Sequence, residues 1–206
     1  MEQIIAGQEK SPYVYYMFNK PSGCVTANRD ERHTTVMDYM KEVQVPGLHP
    51  VGRLDKDTEG LLLFTNDGVW TRSLMDPERH VKKTYFFWSM GEISDEDVKK
   101  LETGVMIRGG QARPAHFLMG KRGILGEIRN IATGIKPGNR PEQPVFSGYI
   151  TVCEGRKHQI KRMIRAVGGY VVYLKRISIG NLVLDEGLKP GGFRELSLIE
   201  KRLASH

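Results

Sequence analysis

The 206 residues include only two cysteines, Cys24 and Cys153. They form no CxxC pair and no framework, so neither a zinc site nor a structural disulfide is expected. No hydrophobic run approaches the roughly 20 residues needed to span a bilayer. The N-terminal MEQIIAGQEKSP has no apolar leader core. Six histidines, at 33, 49, 80, 116, 158 and 206, make no HExxH or other ligand spacing, and no GxSxG elbow or phosphate-binding P-loop is present. No period of 20–50 residues repeats, which excludes a solenoid. Acids are outnumbered: Lys plus Arg total 31 against 24 for Asp plus Glu, a net charge of +7. That surplus favours a polyanionic partner, with nucleic acid ahead of a membrane surface. Any chemistry must run on carboxylates, tyrosines and cations without a metal, and a cytoplasmic location is expected.

What is present suits an ordinary folded domain. With 39% hydrophobic and 27% charged residues, the chain can bury a real core, and disorder is not its theme. YVYYMF (13–18) reads as a strand leading into an NKPSG turn. TTVMDYMKEV (34–43) reads as a helix capped by Thr34 or Thr35. LLLFT reads as a buried strand running into a tight NDG turn, and KTYFFWSM as a strand too apolar on both faces to lie at an edge. SDEDVKKLETG (94–104) is expected to be a helix capped by Ser94 and stopped by Gly104. Weaker strands follow near 105–107, 115–119 and 124–129. Residues 133–148, rich in Gly and Pro, read as a long mobile hairpin tip. A strand YITVCEG, a basic helix KHQIKRMIRAVGG and a set of short strands close the chain. This interleaving, without regular βαβ units, predicts an α+β fold with a mostly antiparallel sheet. A polar arm over 1–12 is expected to precede one domain over 13–203.

The stretch VGRLDKDTEGLLLFTNDG (51–68) raises a question of chemistry, because DKDTEG imitates the start of a calcium loop. The twelfth position from Asp55 is Asn66, which cannot supply the bidentate glutamate such a loop needs. The flanks are not helical either, so the acids need another role. Asp55 ends an extended GRL segment in which Arg53 shares its face. A turn-stabilising role for Asp55 is the plainer alternative, and it suits Asp57, Thr58 and Glu59 better. In the basic helix, Ile160, Met163, Ile164 and Val167 form one apolar stripe. Arg162 falls opposite that stripe and is expected in solvent. Lys161 falls at its edge, where a half-buried cation can pair with a carboxylate. With Arg156, Lys157, His158 and Arg165, these residues look like a phosphate-contacting surface. Tyr85 opens its strand, where most tyrosines are simply core residues with a wet hydroxyl.

GRLDKDTEGLLLFTNDG closely resembles the signature of the RsuA family of pseudouridine synthases (the ribosomal small-subunit pseudouridine synthase A type). The resemblance continues in order through NKPSG (19–23), MDPERHVKKTY, EGRKHQIKRM and RISIGNLVLDEGLKPGGFRELS, covering about 13 to 197. It implies a two-lobed synthase fold with a central catalytic cleft. It also implies a cofactor-free, metal-free isomerisation of uridine in ribosomal RNA. By position it makes Asp55 the catalytic carboxylate, Tyr85 the residue stacked on the base, and Lys161 the cation paired with Asp55. A paired Lys161 would keep Asp55 charged despite burial. Lys20 and Arg53 join Arg156, Lys157, His158, Arg162 and Arg165 as expected RNA contacts, and Ile179 is matched to the apolar residue that packs against the tyrosine. Many relatives carry an S4-type RNA-binding module before the catalytic domain. Here NKPSG stands at residue 19, so no S4 domain is expected, as in the large-subunit synthase E branch. That branch also has a long loop before the EGR helix, and it points to 23S rRNA, free or in an assembly intermediate, and to a monomer. The alternatives are a 16S rRNA synthase or a non-catalytic assembly factor on the same fold. A DNA-binding regulator is a weaker rival, because no helix-turn-helix pattern is present.

Overall fold

The run LLLF (61–64) is apolar at every position because the strand that carries it is covered on both faces. Leu61 and Leu63 point into a cluster with Met17, Trp70, Leu74 and Ile179, while Leu62 and Phe64 point into one with Phe18, Val36 and Met40. The structure, a computed structural model, describes residues 12–205, so the expected arm lies outside it except for Pro12.

The strands in chain order are β1 (Tyr15–Lys20), β2 (His49–Val51), β3 (Glu59–Thr65), β4 (Lys83–Met90), β5 (Met106–Ile107), β6 (Gly110–Gln111), β7 (His116–Ile124), β8 (Pro144–Val152), β9 (Tyr170–Ile179), β10 (Leu182–Val183) and β11 (Phe193–Glu195). The helices are α1 (Gly68–Met75), α2 (Asp95–Thr103), α3 (Gln159–Ala166) and α4 (Leu198–Leu203). One sheet runs β11-β1-β3-β9-β4-β8-β7, with β2 added to β3 and β10 to β9, while β5 and β6 form a separate hairpin. Every pairing is antiparallel except β3 with β9. The fold is therefore α+β with a largely antiparallel sheet, as the interleaving predicts.

That single parallel pairing is also the joint of the molecule. The two halves of the sheet meet through only two residue pairs, Glu59↔Lys175 and Gly60↔Arg176. Gly60 has φ +100°, and a Cβ there would lie 2.2 Å from the Arg176 carbonyl oxygen. Only glycine permits so close an approach of two backbones. Beyond the joint, β4 lies between β9 and β8, and Phe87, Phe146, Ile160, Met163 and Ile164 pack α3 onto that half.

Several local expectations differ. The helix expected at 34–43 is a five-residue 3-10 turn, Val36–Met40, capped by Thr35 and pinned from behind by the Val25 backbone. The NDG turn is instead the start of α1, whose Asp67 side chain accepts the N–H groups of Val69 and Trp70. The strand expected at 124–129 is a 3-10 turn, Leu125–Ile128, after β7 ends. Residues 144–148, read as loop, open β8. Gly148 belongs there because a Cβ would meet the Phe117 ring at 2.9 Å. Ser94 and Gly104 bound α2 as expected, with a capping box from Asp97.

Candidate active site

A cleft of about 1000 Å³ opens where the two halves meet. Its walls come from the loop between β2 and β3, from β4, from β9 and from the segment leading into α3. Asp55, Tyr85 and Lys161, distant in sequence, all line it.

The loop bearing Asp55 is held by the NKPSG turn. Gly23 N–H donates to the Lys56 carbonyl at 2.8 Å, and Thr26 Oγ1 donates to the Leu54 carbonyl at 2.9 Å. Lys20 completes the clasp by donating to the carbonyls of Pro21 (3.1 Å), Lys56 (3.2 Å) and Thr58 (2.9 Å). This corrects its expected role as an RNA contact. Its side chain is wholly buried, so it reaches no phosphate and instead fixes the loop. Burial lowers its pKa, while Cys24 and the nearby carboxylates Asp57, Asp55 and Glu59 act against that shift.

Asp55 is partly exposed, with His158 Nε2 at 3.5 Å and Lys161 Nζ at 3.7 Å. Lys161, partly buried at the edge of the α3 stripe, lies nearer a different carboxylate: Asp57 Oδ1 is 2.5 Å away. Burial works to raise the Asp57 pKa, but the hydrogen bond and charge of Lys161 hold it below the usual carboxylate range. Asp57 is thus part of the charged cluster, where the sequence suggested only a turn. His158 adopts a left-handed backbone (φ 55°) at the start of α3, an uncommon conformation that recurs at functional sites.

Tyr85 is half-buried between the clusters of the two halves, facing the cleft. Its expected apolar partner, Ile179, does not line the cleft. Ile179 is buried in the cluster with Met17 and Leu61, and Leu174 lines the cleft in its place. Arg53, Lys157 and His158 are exposed along the cleft. Arg156 lines it too, but its guanidinium donates to the carbonyls of Arg108, Gly110 and Gln111, bracing the β5–β6 hairpin. Arg162 and Arg165 do not line the cleft. Arg162 is partly buried rather than fully solvated, and Arg165 lies over the Tyr170 ring at 5.9 Å.

Two cations that sequence reasoning passed over are buried in the cleft wall, Lys83 on β4 and Arg176 on β9. A lysine in the mostly apolar strand KTYFFWSM is the available signal, since charges are seldom buried without a reason. Burial, then the positive charge of Arg176, pulls the Lys83 pKa down to about 8, with Cys153 opposing.

Residues 52–58 of the signature line this cleft, and comparisons with known proteins identify the family. The family described as RNA pseudouridylate synthase matches residues 14–166. An uncharacterized RNA pseudouridine synthase, YtzG, of Bacillus subtilis is 43% identical over 93% of this chain and 73% of its own length. The ribosomal small subunit pseudouridine synthase A of Escherichia coli K12 is 35% identical, with the same coverage. A crystal structure of a pseudouridylate synthase superposes with a TM-score of 0.76 at 32% identity, covering 93% of this chain and 74% of that one. The archaeal Nop10–Cbf5 complex shares the fold alone, with a TM-score of 0.57 at 16% identity. The chain belongs to the RNA pseudouridylate synthase family and is a pseudouridine synthase, an isomerase acting on RNA.

Proposed function

We propose that residues 13–203 act as one catalytic domain that converts a specific uridine of ribosomal RNA to pseudouridine, with Asp55 as the essential carboxylate. The observation carrying this is the convergence of Asp55, Tyr85 and Lys161 from three separate elements on one cleft. The reaction breaks the C1′–N1 bond, turns the freed base and rejoins it to C1′ through C5. A carboxylate serves by attacking C1′ or C6, or by stabilising positive charge on the sugar. Lys161 supplies the positive charge that favours the ionised form of a partly buried carboxylate. Tyr85 offers a stacking surface to a uridine flipped out of the RNA. Arg53, Lys157 and His158, exposed at the cleft, suit the phosphates on either side. Asp55→Asn tests the assignment: it fills the same space but should abolish turnover under single-turnover conditions while sparing RNA binding.

The relatives named for their substrate support small-subunit rRNA. Synthase A proteins of Escherichia coli, Salmonella typhimurium and Haemophilus influenzae are 34–35% identical to this chain. The 23S reading is supported by the segment between Ile128 and Pro144, which matches the long loop of the large-subunit branch. Mapping pseudouridines in both rRNAs from a strain lacking this gene distinguishes the two, and loss of a 16S site is the expected result. A ribosomal RNA substrate implies the cytoplasm. Among the described residues no helix is long and apolar enough to cross a membrane.

A further inference from the structure

Lys83 and Arg176 are 7% and 3% exposed, yet among the described residues neither forms an ion pair with a carboxylate. Lys83 Nζ donates to the Val81 carbonyl at 3.0 Å, and Arg176 Nε donates to the Leu61 carbonyl at 2.7 Å. Arg176 Nη2 is buried with no hydrogen-bond partner. Two adjacent unneutralised cations are costly to bury. The cost is intelligible if the cleft receives an anion. Both residues line the same cleft as Asp55 and Tyr85, and Arg176 is the β9 partner of Tyr85 across the β4–β9 pairing.

We infer that Lys83 and Arg176 hold the negatively charged oxygen of the uracil set free when its glycosidic bond breaks. This rests on the proposed reading of the cleft. When C1′–N1 breaks, the electron pair stays with the base, and its negative charge spreads from N1 onto O2 and O4. Rejoining through C5 returns an electron pair to C1′. The C5 hydrogen then leaves as a proton and N1 takes one up, so the product is an isomer and no oxidant or reductant is needed. Donors fixed in advance at the developing charge stabilise it without reorganising. A backbone phosphate is the other anionic source. It is strongly hydrated and stays on the RNA chain, where exposed Arg53, Lys56 and Lys157 line the cleft to meet it. Tyr85, the proposed stacking surface for the base, sits directly opposite Arg176 in the β4–β9 register.

The test compares wild type, Lys83→Met, Lys83→Arg and Asp55→Asn on one substrate RNA, measuring single-turnover rate, RNA affinity and melting temperature. The expected result for Lys83→Met is a rate loss on the order of 100-fold with RNA affinity unchanged, and partial recovery in Lys83→Arg. The same RNA carrying 2-thiouridine or 4-thiouridine at the target replaces one acceptor oxygen by sulfur. One of these should slow the wild type and add nothing further in Lys83→Met, the non-additivity of two changes in one contact. Weakened RNA binding with an unchanged bound-state rate would assign the pair to a phosphate and overturn the inference. A lower melting temperature with unchanged rate would make Lys83 a structural strut and overturn it as well. Additive thio effects would do the same. Should Lys83→Met fail to fold, Lys83→Gln and Arg176→Lys are read in the same assays. An active Asp55→Asn would instead sink the reading of the cleft itself.

Discussion

Lys161 stands between two carboxylates, and the nearer one is Asp57, 2.5 Å away, with Asp55 at 3.7 Å. Its charge is shared between the two. Lys161→Met keeps the stem that packs at the stripe's edge and removes the charge. A single-turnover assay should show a loss on the order of 100-fold, with Lys161→Arg retaining much of the rate. Asp57→Asn removes the competing negative charge while leaving Asp55 its cation, so turnover should persist within a few-fold of wild type. Arg162→Met, outside the cleft, should alter RNA affinity alone. Equal, purely affinity-based losses in Lys161→Met and Arg162→Met would reduce Lys161 to one more phosphate contact.

Lys83 carries a pH dependence of its own, because burial and Arg176 lower its pKa from an ordinary 10.5 to about 8. Below pH 8 the folded and unfolded states are both protonated there, and the full cost of the buried charge is present. Between about pH 8 and 10.5 the unfolded chain binds more protons at this site than the folded one, so stability rises with pH. The full relief is of order 3 kcal/mol. Denaturant melts of wild type and Lys83→Met should therefore show wild type gaining on the variant as pH rises from 8 to 10. A gap that stays constant with pH would show that Lys83 is not held in this way.

At the scale of elements, the joint between β3 and β9 and the clasp around the Asp55 loop are the sensitive points. Gly60→Ala places a methyl against the Arg176 carbonyl in a left-handed backbone, so it should cost more than about 2 kcal/mol. Thermal melts would read this directly, and a near-neutral change would mean the two halves separate easily. Lys20→Met strips donors from three carbonyls around the loop, each worth about 1–3 kcal/mol if left unsatisfied, offset in part by removing a buried charge. Its signature should be a larger loss in turnover than in RNA affinity, because Asp55 is mispositioned while the exposed cations remain. The elements were unequally legible. The 94–104 helix showed its cap, stripe and stop locally. The α1 helix was missed because an Asp-Gly pair signals a hairpin turn as readily as a helix start. Only the burial of Trp70 and Leu74 against β3 selects the helix. Pro144–Gly148 read as loop by composition, yet tertiary pairing with β4 and β7 makes it strand.

For the whole molecule, the net charge of +7 and the exposed cations of the cleft predict RNA binding that weakens steeply with salt, as phosphate contacts release counterions. Affinity measured from 50 to 200 mM salt should fall linearly on a log–log plot, and a flat response would remove the electrostatic account. The sequence by itself determined the family and the α+β class, because those are carried by contiguous motifs with fixed residue types, and it singled out Asp55, Tyr85 and Lys161, which the fold brings to one cleft. It did not determine which cations face the RNA. Lys20, Arg156 and Arg53 all lie in signature segments. Yet Lys20 is sealed in the loop clasp, Arg156 braces a hairpin and Arg53 is exposed along the cleft. A cation's role depends on which carbonyls, carboxylates and solvent surround its tip. Those neighbours come from other parts of the chain, the Asp55 loop for Lys20 and the β5–β6 hairpin for Arg156. For the same reason only the tertiary structure decided that Leu174, not Ile179, lines the cleft, that Asp57 shares Lys161, and that Lys83 and Arg176 lie unneutralised in its wall.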